Sequence, residues 1–188
     1  MAPKPPSPNV EFIDVKVGMP FLRAGSPADS FRALRAKVIA EAGFDFLDEF
    51  GDMMRSKTFK PPKGKLGVAK KSRHQCGDAF DYNQSSPRLA VVREDIGGQT
   101  FFRTYLKCTA QDGTMGTLKT VTTFAGKKVR AFLYDFTAAA GSLGWHRIPA
   151  HDGWKTKGKN YNKMEFWHYQ NTEGKSWDDV MKFLYPPK

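Results

Sequence analysis

Apolar and polar residues follow two rhythms along this chain, and each rhythm predicts one kind of element. A first helix is predicted to begin at Ser26-Pro27, a capping serine and a first-turn proline, and to end at Gly43. The apolar residues of its buried face recur three or four positions apart, at Phe31, Leu34, Val38 and Ile39. A second helix is predicted over about 127–140, with an apolar face of Val129, Phe132, Leu133 and Phe136. A short third helix starts near Ser176, which forms a capping-box-like pair with Asp179.

Strands are predicted where apolar and polar residues alternate or where apolar and β-branched residues cluster between turn signals. The first such segment, 44–50, leads towards Asp52 and Arg55. Three more are 89–92, 101–108 and 118–124, separated by turns at Gly97-Gly98 and Asp112-Gly113. A last strand covers 165–168. This order of elements favours an α+β fold in which one antiparallel sheet has helices packed on it.

Composition limits the class of protein. The hydrophobic content of 40% and aromatic content of 13% are typical of a folded globular protein. A chain of 188 residues fits one domain, predicted over 11–188 behind a flexible proline-rich tail at 1–10. No apolar run approaches the ~20 residues of a membrane helix, and the N-terminus has no apolar core of a signal peptide. Two cysteines, Cys76 and Cys108, do not make a disulfide framework.

The net charge of +11 favours an anionic partner. Lysines and arginines are scattered and no nucleic-acid module is visible, so nucleic acid is not expected. Anionic cell-wall polymers would be attracted by the same charge. The densest clusters, 57–65 with 70–73 and 155–159, are predicted to be either a basic rim around an anion-binding cleft or ordinary solvated loops.

Two short strings carry the candidate chemistry: S-R-H-Q-C-G-D-A-F-D at 72–81 and E-F-W-H at 165–168. They supply two histidines and an aspartate that can bind zinc, with a glutamate near one of them. A catalytic zinc site needs three protein ligands, a position open to water and a general base. His74 and Asp81 are too far apart for adjacent helical turns, so their spacing suits a loop entering a strand. Strand alternation separates Glu165 from His168, so Glu165 reaches the same site only if the strand bends or begins there.

The two strings resemble the zinc peptidases of the D-alanyl-D-alanine carboxypeptidase and dipeptidase type. That group includes the L-alanyl-D-glutamate endopeptidases of phage endolysins and has the hedgehog/DD-peptidase fold. Its pattern is S-x-H-x-x-G-x-A-x-D followed by E-x-W-H, and all fixed positions are present: Ser72, His74, Gly77, Ala79, Asp81, Glu165, Trp167 and His168. The segment 144–148 is also similar to the family's G-W-x-R-I. The resemblance implies one zinc ion per chain, bound by His74, Asp81 and His168, with Glu165 as the catalytic base.

The resemblance also implies supporting residues. The family pattern D-x-Y-R matches at Asp52 and Arg55, although methionine stands where the family has tyrosine. Arg55 would stabilise an oxyanion or hold a substrate carbonyl or carboxylate. Ser72 would bond the ligand loop or the substrate, and Trp167 would pack against His168.

Three nearby residues belong to neither set of roles. Cys76 as a fourth ligand would close the position that catalysis keeps open. His146 is expected either in the cleft or on the surface, and His151 is expected to be a plain loop residue.

The function implied by the resemblance is zinc-dependent hydrolysis of peptidoglycan stem peptides at the bacterial cell wall or periplasm. The expected enzyme is a lytic endopeptidase of phage or phage-derived origin, released by lysis or delivered by a phage-like machine. One alternative is a D,D-carboxypeptidase that trims the terminal D-alanine. Another is a non-catalytic zinc-binding or structural component of a phage-tail-like particle, although a pure binder has no need of Glu165.

Overall fold

The protein has an α+β fold with three helices and several antiparallel sheets among the residues described in this computed structural model, 3–60, 71–154 and 161–187. The helices are α1 (Ser26–Ala42), α2 (Phe136–Ser142) and α3 (Trp177–Leu184). The strands are β1 (Val10–Phe12), β2 (Phe21–Arg23), β3 (Phe50–Asp52), β4 (Ala79–Tyr82), β5 (Leu89–Ile96), β6 (Gln99–Lys107), β7 (Thr117–Thr122), β8 (Lys128–Asp135), β9 (His146–Arg147) and β10 (His168–Gln170). The α+β class predicted from the sequence is confirmed.

The prediction of a single sheet is wrong, because the described strands divide into three sheets. A hairpin joins β1 and β2, a four-stranded sheet has the order β3-β4-β10-β9, and a second has the order β5-β6-β8-β7. We call the β3-β4-β10-β9 sheet the site sheet. Its strands are two to four residues long and come from distant parts of the chain. By contrast, β5 to β8 are longer and follow one another along the chain, so they pair into a sheet of their own.

Helix α1 packs against the site sheet. Three of the four residues predicted for its buried face, Phe31, Leu34 and Val38, are fully buried, whereas the prediction for Ile39 is wrong because that side chain is 44% exposed. The ring of Phe31 meets that of Phe80 on β4 edge to face, with centroids 5.3 Å apart. The helix ends at Gly43, which is left-handed as expected. Its N-cap, however, is Gly25, and no side chain caps this end, so the predicted capping role of Ser26 is wrong.

The predicted second helix is wrong over most of its length. Residues 128–135 form β8, which pairs with β7 on one side and with β6 on the other. Only Phe136–Ser142 is helical, and it begins where the Asp135 carboxylate accepts a hydrogen bond of 3.0 Å from the Ala138 N–H. The apolar spacing fits a helix in isolation. Pairing on both sides, together with β-branched and aromatic residues, outweighs that local preference.

The segment 44–50 is also not the predicted strand. It is mostly turn, because the carboxylates of Asp45 and Asp48 fold back to accept hydrogen bonds from Arg35. Only its last residue enters β3. The strands predicted around 89–92, 101–108 and 118–124 are confirmed as β5, β6 and β7. The third helix is confirmed as α3, whose Asp179 N–H donates to the Ser176 hydroxyl at 3.1 Å.

The N-terminal segment packs earlier than the predicted boundary at residue 10. Ser7 is buried and its hydroxyl donates to the carbonyl oxygen of Leu184 at 2.7 Å. Asn9 donates to the carbonyl oxygen of Phe183 at 2.9 Å. These bonds tie the start of the chain to α3. Among the described helices, none has the length and apolar character needed to cross a membrane.

Candidate metal centre

Asp81 and His168 face each other on neighbouring strands of the site sheet. β4 and β10 are antiparallel, and their register pairs His168 directly with Asp81. The Nδ1 atom of His168 lies 2.9 Å from Oδ1 of Asp81. Two residues that are 87 positions apart in the chain are therefore brought together by one strand pairing.

His74 reaches the same point from a 3-10 turn, Arg73–Cys76, that precedes β4. The turn has a capping box: the Ser72 hydroxyl accepts from the His74 N–H at 3.3 Å, and the Gln75 side chain accepts from the Ser72 N–H at 3.1 Å. Gly77 ends the turn with a φ of 62°, and a Cβ there would lie 2.8 Å from the backbone nitrogen of Arg23. A glycine is required at this position for both reasons. The prediction of a loop entering a strand is confirmed.

The three side chains form a group that could hold a metal ion. The Nε2 atom of His74 lies 3.2 Å from Asp81 Oδ1 and 3.2 Å from His168 Nδ1, and all three candidate ligand atoms lie within 4.8 Å of one another. Ligand atoms around a tetrahedral ion with bonds of 2.0–2.1 Å are about 3.3 Å apart. The observed separations of 2.9–3.2 Å are close to that spacing, so the two imidazole nitrogens and the carboxylate oxygen could serve together as ligands of a metal ion.

A backbone carbonyl orients the His74 ring. Its Nδ1 atom lies 2.6 Å from the carbonyl oxygen of Met53, and the side chain is 2% exposed. A carbonyl can only accept, so Nδ1 carries a proton and Nε2 is the ring nitrogen that faces Asp81 and His168. This outer hydrogen bond is the usual partner of a metal-binding histidine.

The electrostatics of the group favour a positive charge at its centre. Burial works against ionisation of His74, but the charge and hydrogen bond of Asp81 outweigh it and raise the pKa of His74. Burial likewise opposes the Asp81 carboxylate, yet the two histidines hold its pKa well below the usual range. A metal cation at this point would take the place of the shared protons.

Glu165 lies beside the group because the chain turns sharply before β10. Its φ is 54°, in the left-handed region, and its carbonyl oxygen accepts from the His168 N–H at 3.1 Å. The strand predicted over 165–168 thus begins only at His168. Because Glu165 lies before the strand, strand alternation does not place it on the opposite face from His168. Burial raises the pKa of Glu165 to about 7. A carboxyl group with that pKa can gain and lose a proton near neutral pH.

Arg55 and Ser72 adjoin the ligand loop. Nη1 of Arg55 donates to the Ser72 hydroxyl at 3.2 Å, and Nε pairs with Asp52. The Arg55 backbone N–H donates to the carbonyl oxygen of His74 at 3.0 Å, so the arginine and the ligand are held together. The guanidinium is therefore fixed at the edge of the site.

An open cleft of about 380 Å³ collects these side chains. The predicted site residues all line it: His74, Asp81, His168, Glu165, Arg55, Ser72 and Trp167. Trp167 is 5% exposed, and its carbonyl oxygen accepts from the Tyr82 N–H at 3.2 Å, which fixes the residue next to His168 against β4.

Of the three nearby residues outside the predicted site, one has a different place from that expected. His151, predicted as a plain loop residue, lines the cleft, and its Nε2 lies 3.4 Å from Oε1 of Glu165. His146 is exposed on β9 and is not among the described residues that line the cleft. The Cys76 thiol points at the carbonyl oxygen of Trp177, 3.9 Å away, and burial raises its pKa to about 12, so it is not in the ligand group. No sequence motif marked His151, because its proximity to Glu165 arises from tertiary structure.

The basic clusters fall largely outside the described residues, since 61–70 and 155–160 are not described. Lys71 and Arg73 do line the cleft, as does Arg55. Lys71 pairs with Asp178, and Arg73 pairs with the buried Asp78. Both cations that line the cleft are thus paired with carboxylates.

Comparison of the chain with protein-family models, with curated proteins and with solved structures finds no match in any of the three. The functional conclusion therefore rests on the geometry and chemistry of the site.

Proposed function

We propose that this protein is a zinc-dependent peptidase that hydrolyses peptidoglycan stem peptides, with a fold of the hedgehog/DD-peptidase type. One observation carries the proposal: a group of metal-binding geometry and a buried carboxyl group with a pKa of about 7 line one cleft. Two histidines and one aspartate are borderline and hard ligands, a mixture that suits zinc. Three protein ligands leave a position for water or substrate.

Zinc, when bound by His74, Asp81 and His168, supplies Lewis acidity that makes water a stronger acid and withdraws electron density from a carbonyl group. The chain's own residues do the rest. The Glu165 carboxylate takes a proton from the attacking water and returns it to the leaving amine. Arg55 donates hydrogen bonds to the oxygen on which negative charge develops, or to a substrate carboxylate.

The cleft supports a polar and anionic peptide substrate. Arg55, Lys71 and Arg73 line the cleft and would offer hydrogen-bond donors to the free carboxylates of stem peptides. Glu165 favours hydrolysis over mere binding, because a carboxyl group buried at energetic cost beside the ligands has no task in a purely structural metal site. We propose a lytic endopeptidase acting at the bacterial cell wall, with carboxypeptidase trimming and a particle-associated structural role as the outcomes that a test must separate.

Mass spectrometry of stem peptides incubated with the zinc-loaded protein, with and without a chelator, tests the proposal. A product that appears only without chelator establishes a metallopeptidase. Its mass separates cleavage between L-alanine and D-glutamate from loss of the terminal D-alanine. If no stem peptide is cut by protein with zinc bound, the peptidase proposal is refuted.

A further inference from the structure

A histidine outside the candidate ligand group, His151, contacts the candidate base. Its Nε2 atom lies 3.4 Å from Oε1 of Glu165. Within the described part of the chain, no other polar side chain forms an ion pair or a hydrogen bond with this carboxylate. The side chain of Glu165 is 10% exposed, whereas that of His151 is 54% exposed and faces the cleft. The half-exposed ring of His151 therefore lies beside a nearly buried carboxylate in the same cleft.

The backbone holds His151 in this place. Its N–H donates to the carbonyl oxygen of Lys163 at 2.8 Å, two residues before Glu165. The ammonium group of Lys163 donates in return to the carbonyl oxygen of Asp152 at 2.8 Å. These two bonds tie the segment after β9 to the segment that leads into β10. The contact between the two side chains is thus built on a fixed backbone connection.

A general base needs one carboxylate oxygen directed at the proton it removes. Glu165 is held at a left-handed φ of 54°, between the buried residues Met164 and Phe166, so its backbone is fixed while its carboxylate can still rotate. A donor on one oxygen stops that rotation. A separation of 3.4 Å is long for a hydrogen bond, and such bonds tighten when a site binds substrate.

We propose that His151 is a positioning residue for Glu165: its Nε2–H donates to Oε1 and leaves the other carboxylate oxygen to take the proton from water. The inference rests on the proposed function, because it assigns Glu165 the part of base. It changes no bond in the substrate, and His151 ends each turnover as it began.

The test compares two replacements at one position. His151→Gln keeps an N–H donor on a side chain of similar reach, whereas His151→Leu keeps the bulk and removes the donor. His146→Leu, on the exposed edge of β9, is the matched control. All variants are loaded with zinc, their metal content is measured, and kcat and KM are determined on the stem peptide that the wild type cuts.

We expect His151→Leu to lower kcat by roughly 10-fold to 100-fold, the range found for residues that orient functional groups, with KM nearly unchanged. His151→Gln should recover most of the loss, and His146→Leu should match the wild type. Unchanged kcat in His151→Leu, a change confined to KM, or equal losses in the Gln and Leu variants would overturn the proposal.

A spectroscopic readout separates this inference from the peptidase proposal. Nitrogen NMR of the histidine rings reports which ring nitrogen of His151 carries the proton and whether it is hydrogen-bonded. We expect a protonated, hydrogen-bonded Nε2 that shifts in Glu165→Ala. Absence of turnover in the wild type would refute the peptidase alone, while identical His151 signals in wild type and Glu165→Ala would refute the contact.

Discussion

The Nδ1 atom of His74 lies 2.6 Å from the carbonyl oxygen of Met53, so the main chain itself decides which ring nitrogen is free to bind a metal. Met53 directly follows β3, and Arg55 comes two residues later. The short segment 53–55 therefore orients the candidate ligand His74 and also carries Arg55, one of the cationic side chains that line the cleft.

The first prediction concerns metal content. The wild type should bind one zinc ion per chain, and His168→Ala should bind far less, because two ligands cannot complete the site. His146→Ala, which changes a histidine outside the ligand group, should bind like the wild type. Elemental analysis after dialysis against a weak chelator measures this. Equal zinc in wild type and His168→Ala would show that the metal binds elsewhere.

The second prediction concerns the base. Glu165→Gln should retain zinc and lose roughly 100-fold to 10,000-fold in kcat, the range for a general base. Wild-type activity should rise with pH, since only the carboxylate accepts a proton. The midpoint should lie at or below the pKa of about 7 set by burial, because a nearby cation favours the charged form. Full turnover by the zinc-loaded variant would remove Glu165 from this role.

The third prediction is a stability effect that needs no substrate. Burial raises the pKa of Glu165 from its usual 4.5 to about 7, so the folded protein holds a proton that the unfolded chain releases between these values. The free energy of unfolding of the metal-free wild type should therefore fall as the pH rises from 4.5 to 7, by a few kcal/mol at most.

Glu165→Gln removes that contribution. In urea unfolding, the metal-free variant should be more stable than the wild type above pH 7, and the advantage should vanish below pH 4.5. Comparing the two proteins isolates Glu165 from other titrating groups. A constant difference at all pH values would mean that burial does not perturb this carboxyl group.

The fourth prediction concerns Arg55. Arg55→Ala should lower kcat by roughly 100-fold to 1,000-fold, as does loss of one donor to a developing oxyanion. Arg55→Lys should recover little, because lysine lacks the planar fork that contacts Ser72 and Asp52 together. Arg93→Ala, which breaks an exposed ion pair with Asp95, is the control for loss of a positive charge. Steady-state kinetics with zinc content measured decide the matter.

The fifth prediction tests the turn that carries His74. Gly77→Ala should destabilise the protein by more than Gly98→Ala, although both positions are left-handed. At Gly98 a Cβ meets nothing within 4 Å, so only the backbone strain of roughly 1–2 kcal/mol applies. At Gly77 it would also collide with the backbone nitrogen of Arg23. Gly77→Ala should in addition weaken zinc binding, and equal effects at both positions would contradict the close approach.

The candidate ligands and the α+β class of the fold could be predicted from the sequence. His74, Asp81 and His168 are identifiable because their residue types are rare and their spacing matches a known pattern. Helix α1 was predictable because its apolar face is regular and Gly43 ends it. Short motifs and the periodicity of one helix depend mainly on residues that are close together in the sequence, so both can be recognised without the structure.

Other features of the fold and of the cleft depend on tertiary contacts. Residues 128–135 have a helical spacing but become β8, because strands on both sides supply hydrogen bonds that no local pattern encodes. Glu165 enters the cleft only because β10 starts at His168 and the chain turns before it. His151 meets Glu165 through backbone bonds to Lys163, so its place depends on how two loops pack. Contacts between distant segments depend on the whole fold, so they cannot be predicted from local patterns in a single sequence.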